Sequence, residues 1–248
     1  IHHKEEKFTM KLKKIASLAL AGVMAVSMLA GCNTTSNTPD TGDDDQGTTT
    51  PVTGYSAKLG DEIAELSTIA GKKVAWSESN DLQSSLNYQV GNVGYNALTN
   101  SFVSSLSDGT VKFVDATWTT PDIVETVSDN VTADMEAEQN ARQKNNAYGA
   151  IVALNPRNDY ADDDYNTVLL FVVDNGVDLN NAMDQIAAQI NTALRDLDDD
   201  YNNGVPGNDS MNVDYEYTGS VATCTKTFEA GHGVGVSFIA VEIVRHIA

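Results

Sequence analysis

The segment TVLLFVVDNGVDLNNAMDQIAAQINTALRDL, residues 167–197, decides the fold. Its first seven residues are apolar except for one threonine, which predicts a strand buried on both faces. Asp178 then suits the N-cap of a helix. The apolar positions of that helix recur every three or four residues, at Leu179, Ala182, Met183, Ile186, Ile190, Ala193, Leu194 and Leu197. A buried strand followed by an amphipathic helix indicates a domain that mixes α and β structure.

Two long strands are expected downstream of this helix, at about 213–228 and 234–247, joined by EAGHG. The glycines of GHGVG, residues 231–235, superficially resemble a phosphate-binding loop. Such a loop needs a helix amino terminus to supply its amides, and the β-branched run VSFIAVEIV follows instead. We therefore interpret this segment as a hairpin turn and His232 as a solvated turn histidine.

Upstream, TVKFVDAT (110–117) alternates like a strand, a helix is expected from Pro121 to about Asn146, and 148–154 is read as a second strand. The resulting order, βαββαβ with an extra C-terminal strand, is the split βαβ pattern of ferredoxin-like domains. It predicts an α+β fold built as a two-layer sandwich. Helical spacing over 59–70, ended by Gly71, and over 95–106, with the short strand KKVAWS between them, adds an N-terminal helical segment.

Residues 10–32 have the features of a secretory signal. Met10 and three lysines precede an uncharged run, 15–30, that closes on Leu29-Ala30-Gly31-Cys32. The run has 16 residues, short of the roughly 20 that a membrane-spanning helix needs. The LAGC tetrapeptide resembles the lipobox of bacterial lipoproteins, which implies thioether attachment of diacylglycerol to Cys32 and cleavage just before it. An ordinary cleaved signal with an incidental cysteine is the alternative.

This interpretation divides the chain into four parts. Residues 1–9 lie upstream of the natural start, 10–31 are the signal peptide, 32–53 are a flexible acidic and Thr-rich tether, and 54–248 are a single α+β extracytoplasmic domain. The tether is predicted because its few apolar side chains cannot offset the entropy of ordering it. The expected location is the outer face of a bacterial cell membrane, and the style of the tether favours a Gram-positive cell.

Charge and cysteine content exclude several classes of function. The chain has a formal net charge of −20, and from residue 32 onwards 10 basic residues face 33 acidic ones. Nucleic acid is therefore not an expected partner, because binding phosphates depends on lysine and arginine. Cys224 is the only cysteine beyond Cys32, which excludes a disulfide framework in the domain and makes Cys224 a small packed side chain.

The pentapeptide DDDYN occurs at 162–166 and again at 198–202, in two loops that the predicted chain direction places at the same end of the domain. Their oxygen-rich side chains suit calcium better than a transition metal. The candidate ligands are Asp159, Asp162, Asp164, Asp198, Asp200, Asn202 and Asp209. The second loop fails the EF-hand register, because Gly204 comes one residue late and Asp209 stands where a bidentate glutamate belongs.

Two other interpretations of these loops stay open. Aspartate and asparagine bond to their own backbone and are common in solvated turns. The nearby aromatic residues could instead form the rim of a site for a polar ligand: Trp118, Tyr160, Tyr165 and Tyr201.

No recognised catalytic motif accompanies these loops. Beyond residue 31 the only histidines are His232 and His246, and HExxH, GxSxG and GxxxxGK[ST] do not occur. We therefore expect a non-catalytic binding or interaction module whose partner is an envelope protein, a glycan or a small ligand. The alternatives are a calcium-dependent glycan or ligand binder, and an extracytoplasmic hydrolase with a carboxylate pair that sequence spacing does not reveal.

Overall fold

The computed structural model describes residues 48–52, 54–116, 120–137, 139–140, 145–156, 164–201, 213–228 and 234–248. The strands are β1 (Thr48–Val52), β2 (Val74–Trp76), β3 (Lys112–Phe113), β4 (Gln139–Asn140), β5 (Tyr165–Asp174), β6 (Asp200–Tyr201), β7 (Val213–Thr227) and β8 (Gly235–Ile247). The helices are α1 (Tyr55–Leu66), α2 (Thr68–Lys73), α3 (Asn80–Gly91), α4 (Asn100–Leu106), α5 (Asp122–Asp134), α6 (Ala147–Val152) and α7 (Leu179–Arg195), with a 3-10 turn at Tyr95–Ala97. The fold is a mixed α/β arrangement around one open sheet.

Three long strands form the centre of the sheet, in the order β7-β8-β5. Strand β8 runs antiparallel to both neighbours, with Val241 opposite Leu169 on β5 and opposite Val221 on β7. Strands β5 and β7 are consequently parallel, and α7 carries the chain from the end of one to the start of the other. This is a split β-α-β unit with β8 inserted between its strands.

Short strands complete both edges of the sheet. Strands β1, β2 and β6 pair with β7, while β3 and β4 pair with β5. Each of these edge strands has five residues or fewer. An edge of short strands offers little template for uncontrolled pairing with another chain.

Helices cover both faces of the sheet. Helices α1, α2, α6 and α7 pack on the face that carries Leu169, Phe171 and Ile239. Helices α3, α4 and α5 pack on the other face, against residues such as Leu170 and Phe238. The predicted two-layer sandwich is therefore wrong. Strands β5 and β8 are largely apolar on both faces, and a layer of helices on each side buries them.

The segment 148–154, predicted as a strand, contains helix α6 instead. The side chain of Asn146 caps this helix by accepting a hydrogen bond from the Gly149 N–H at 2.6 Å. Its buried residues Ala147, Ala150 and Ile151 follow helical spacing and, with Leu154 just beyond the helix, pack with α7 in one core cluster. A short apolar run suits a buried helix as well as a buried strand, so its periodicity alone could not distinguish the two.

Several predicted boundaries also move. Helix α5 ends at Asp134 rather than near residue 146, because Glu136 has a positive φ of 50° that stops the helix. Gly71 lies inside α2 rather than ending α1, and the break falls at Ser67, whose hydroxyl accepts from the Ala70 N–H. The predicted helix 95–106 is divided at Thr99, which caps α4. Of the predicted strand 110–117, residues 112–113 form β3, and Val114 continues its pairing with β5 through one hydrogen bond to Leu170.

Part of the predicted tether belongs to the sheet. Residues 48–52 form β1 along the outer edge of β7, from Thr48 opposite Thr227 to Val52 opposite Thr223. Threonine favours extended structure, and Pro51 is tolerated because an edge strand needs no donor on its outer side.

Nothing in the described helices is both long and apolar enough to span a bilayer.

Candidate functional site

The end of the sheet where β5 and β7 begin brings together the described parts of both acidic loops. Asn155, at the start of the first loop, accepts from the Asp198 N–H at 3.0 Å and donates to the Asp196 carbonyl at 2.9 Å. On the other side, the Tyr215 N–H donates to the Asp199 carbonyl at 2.8 Å. The start of the first loop is therefore hydrogen-bonded to the start of the second, and the second to β7. The sequence predicted that the loops lie at one end, but it did so from a strand at 148–154 that is helix α6.

The carboxylates at this end have separate partners. Asp164 accepts from the Ile247 N–H at 3.2 Å and lies 3.8 Å from Nδ1 of His246. Asp199 forms an ion pair with Lys73, which also donates to the Leu197 carbonyl at 2.7 Å. Asp200 is exposed and stands opposite Asp214 where β6 pairs with β7. In the part of the chain that the structure describes, no three acidic, histidine or cysteine side chains are grouped to hold a metal ion.

Beneath these carboxylates lies the guanidinium of Arg245, which is only 1% exposed. Its Nη1 donates to the Leu154 carbonyl at 2.7 Å, and its Cζ lies 4.7 Å from the ring centre of Tyr215 and 5.5 Å from that of Tyr165. This cation and two rings form a stacked group inside the domain. The predicted rim residue Tyr165 thus packs its ring against Arg245.

The remaining predicted site residues divide into two sets. Tyr201 is half-buried and packs against the core beside β7. Asp198 contributes its backbone carbonyl, which accepts from the Tyr217 hydroxyl at 2.7 Å. Burial raises the pKa of Tyr217, and the charges of Asp198 and Asp199 add to the shift against the opposing effect of Arg245. The others lie outside the described residues: Cys32, Trp118, Asp159, Tyr160, Asp162, Asn202 and Asp209.

A second candidate site, which the sequence did not reveal, is an open groove beside β3 with a volume of about 1040 Å³. It lies between α4, the strand segment 112–115 and the amino-terminal turn of α5. Its apolar lining includes Phe102, Phe113, Val114, Ile123 and Val172, and its polar lining includes Thr99, Ser101, Ser105, Thr126, Asp115 and Asp122. Apolar contact area with a few polar groups is typical of a ligand-binding site.

Residues between 97 and 126 build almost the whole groove, and Val172 of β5 completes it. The predicted strand 110–117 and the helix start at Pro121 were the only signals. These two signals could not show that β3 pairs with β5 along one edge and leaves its other edge unpaired within the described residues, because strand pairing depends on long-range contacts.

A buried acid lies elsewhere in the domain, away from the groove lining. Glu242 on β8 is 7% exposed and accepts hydrogen bonds from Ser220 Oγ at 3.2 Å and from Asn166 Nδ2 at 3.4 Å. Burial raises its pKa, against the effect of these two donors. Its partners are fixed polar side chains of β5 and β7, so the geometry supports a structural role for this carboxyl group.

Comparisons with protein-family models, with curated proteins and with solved structures gave no match for this chain.

Proposed function

We propose that the chain is a lipoprotein on the outer face of a bacterial cell membrane, in a Gram-positive cell, and that its domain is a non-catalytic binding module. The proposed location rests on residues 10–32, where a basic start and an apolar run end in LAGC. The binding role is carried by one observation, the open groove beside β3.

The groove supports binding because of its size and its mixed lining. Its volume of about 1040 Å³ is at the upper end of the range typical of ligand sites, roughly 300–1000 Å³. Hydroxyl groups and two carboxylates alternate with apolar side chains around it. We propose the groove as the place where the envelope protein, glycan or small ligand binds. For the fold family, we propose a relation to ferredoxin-like domains that is limited to the split β-α-β unit of β5, α7 and β7.

The lipid anchor is tested by comparing two cysteine variants in a Gram-positive host that is fed a labelled fatty acid. Cys32→Ser should lose the label and leave the membrane fraction, since two acyl chains hold a protein on a bilayer stably. Cys224→Ser is the matched control. Cys224 is buried, and burial raises the pKa of its thiol to about 11, so it is not available for modification.

The same cells test the orientation of the domain. Protease added to intact cells whose wall has been removed should digest the domain without lysis of the membrane. Label that stays on Cys32→Ser, or a domain that protease reaches only after lysis, would refute the proposal.

A second candidate is calcium-dependent binding at the acidic end of the sheet. It is favoured by Asn155, which fastens the start of one acidic loop to the start of the other. Extracellular calcium sites bind at roughly 0.1–1 mM, so about 2 mM calcium should raise the melting temperature and excess chelator should reverse the rise. Magnesium at the same concentration is the control. An unchanged melting temperature would eliminate this candidate.

A further inference from the structure

Along the outer edge of β3, the backbone of the preceding residue is hydrogen-bonded by side chains, and the backbone of one strand residue is left without a partner strand among the described residues. Its neighbour Val111 donates its N–H to Oε1 of Gln185 at 2.9 Å, and its carbonyl accepts from Nε2 of Gln189 at 3.1 Å. Two side-chain amides of α7 therefore take the place of a neighbouring strand at Val111.

The residue whose outward backbone groups face no neighbouring strand in the described chain is Phe113. Val114 donates its N–H to the Leu170 carbonyl at 2.8 Å, so Val114 and Leu170 form a hydrogen-bonded pair of the antiparallel ladder. Such pairs alternate with non-hydrogen-bonded pairs. Phe113, opposite Phe171, thus directs its N–H and carbonyl away from β5. Among the described residues, no backbone hydrogen bond from a loop or turn reaches these two groups.

The groove runs along this open edge. Four consecutive residues, 112–115, line it, although successive side chains of a strand point to opposite faces. A ligand in the groove would therefore meet the backbone of β3 as well as its side chains. The hydrogen-bonding groups at Phe113 match those that an extended polypeptide presents along one edge.

The charged groups of the groove favour a basic occupant. Its carboxylates are Asp115 and Asp122, and its ammonium group belongs to Lys112. Lys112 is already 3.8 Å from Oδ2 of Asp108, which lies outside the groove. The surplus of acidic residues in the mature chain, 33 against 10, would also attract a cationic segment.

We propose that the groove binds an extended polypeptide segment of alternating apolar and basic residues, which adds to the sheet beside β3 through the backbone of Phe113. The apolar side chains cover Phe102, Val114 and Ile123, and the basic side chains approach Asp115 and Asp122. This inference rests on the proposed binding role of the domain and names its partner class.

The test is fluorescence anisotropy of labelled nonapeptides titrated with the full chain lacking residues 1–31. A peptide of alternating valine and lysine should bind, and one of alternating valine and glutamate should bind at least about ten-fold more weakly. The double variant Asp115→Asn with Asp122→Asn should weaken binding of the lysine peptide by about three- to ten-fold. Asp61→Asn removes an exposed carboxylate from α1, on the opposite face of the sheet, and should bind as the unaltered chain does.

Backbone methylation of the peptide separates strand addition from simple apolar contact. One version carries N-methyl groups on its valines and another on its lysines, and each blocks a different edge of the extended peptide. Strand addition uses one edge, so one version should lose at least about ten-fold in affinity while the other keeps binding. Equal binding of both versions would overturn the proposal.

Two further outcomes would also overturn it. One is an unchanged affinity of the lysine peptide for the Asp115→Asn, Asp122→Asn double variant. The other is binding of a soluble glycan by a chain that binds none of the peptides. Either result would leave the lipid label on Cys32 and the protease accessibility of the domain unaffected, so failure here is distinguishable from failure of the proposed location.

Discussion

Glu242 is an acid in the middle of the apolar strand segment VSFIAVEIV. The sequence predicted that strand but could not show what a buried carboxyl group would contact. The partners, Ser220 and Asn166, come from the two flanking strands and depend on register. The nearby negative charge of Asp81 adds to the effect of burial in raising the pKa of Glu242.

This raised pKa predicts how Glu242→Gln changes stability with pH. An acid whose pKa is higher in the folded than in the unfolded state favours folding most when it is protonated in both, at low pH. That advantage is lost as pH rises through the unfolded and then the folded pKa. The glutamine variant cannot ionise. The free energy of unfolding of Glu242→Gln, minus that of the unaltered chain, should therefore increase between about pH 3.5 and about pH 7, the range in which glutamate ionises. Urea unfolding at several pH values measures the difference.

A matched substitution identifies the source of the effect. Glu216→Gln removes an exposed carboxylate from β7 and should give a stability difference that changes little over the same pH range. A difference for Glu242→Gln that stays constant, or that falls as pH rises, would contradict the assignment.

Among the elements, the short strand β2 is held in place by two glycines. A Cβ added at Gly60 on α1 would lie 2.7 Å from Cδ1 of Trp76, and one added at Gly219 on β7 would lie 2.7 Å from Cε3 of the same ring. Trp76 therefore lies between α1 and β7 with no room for a methyl group on either side.

Substitution of Gly219 by alanine should consequently destabilise the domain by about 1–3 kcal/mol, because the confined ring of Trp76 cannot move away. Gly91→Ala is the matched control. An added Cβ there meets nothing within 4 Å, and alanine is the better residue in a helix, so the change should be neutral or stabilising by up to about 1 kcal/mol. Thermal unfolding of both variants makes the comparison. Equal effects of the two substitutions would refute the close packing described for Trp76.

Sequence patterns predicted four of the long elements, strands β5, β7 and β8 and helix α7, but missed helix α3, which has 12 residues. Each of these four has 10 residues or more, and helix α7 has a clear helical period while β5 and β8 are nearly continuous apolar runs. Helix α6 has six residues and lies in a segment predicted as a strand, while β1 lies in a Thr-rich segment predicted as tether. Both of these short elements depend on long-range partners, α7 for the first and the edge of β7 for the second.

For the whole molecule, the sequence predicted that the two acidic loops lie at one end, and Asn155 and Asp198, at the starts of the two loops, are hydrogen-bonded. The prediction used a strand at 148–154, which is helix α6, so its reasoning was wrong at that element. The inward packing of Tyr165 could not be predicted, because Arg245 reaches it from β8, 80 positions later in the sequence. The groove was also beyond sequence reasoning, since it depends on which edge of β3 stays open. The long central strands and helix α7 follow from local patterns, whereas the packing of Tyr165 and the pairing of β3 depend on partners far away in the sequence.

We propose that the domain presents its groove outside the membrane and that residues from Cys32 onwards link it to the bilayer. The most direct test is the intact mass of the protein extracted from the membranes of a Gram-positive host. We predict a chain that starts at Cys32 and carries one diacylglyceryl group. A mature chain that starts at another residue, or one that starts at Cys32 without lipid, would contradict the account.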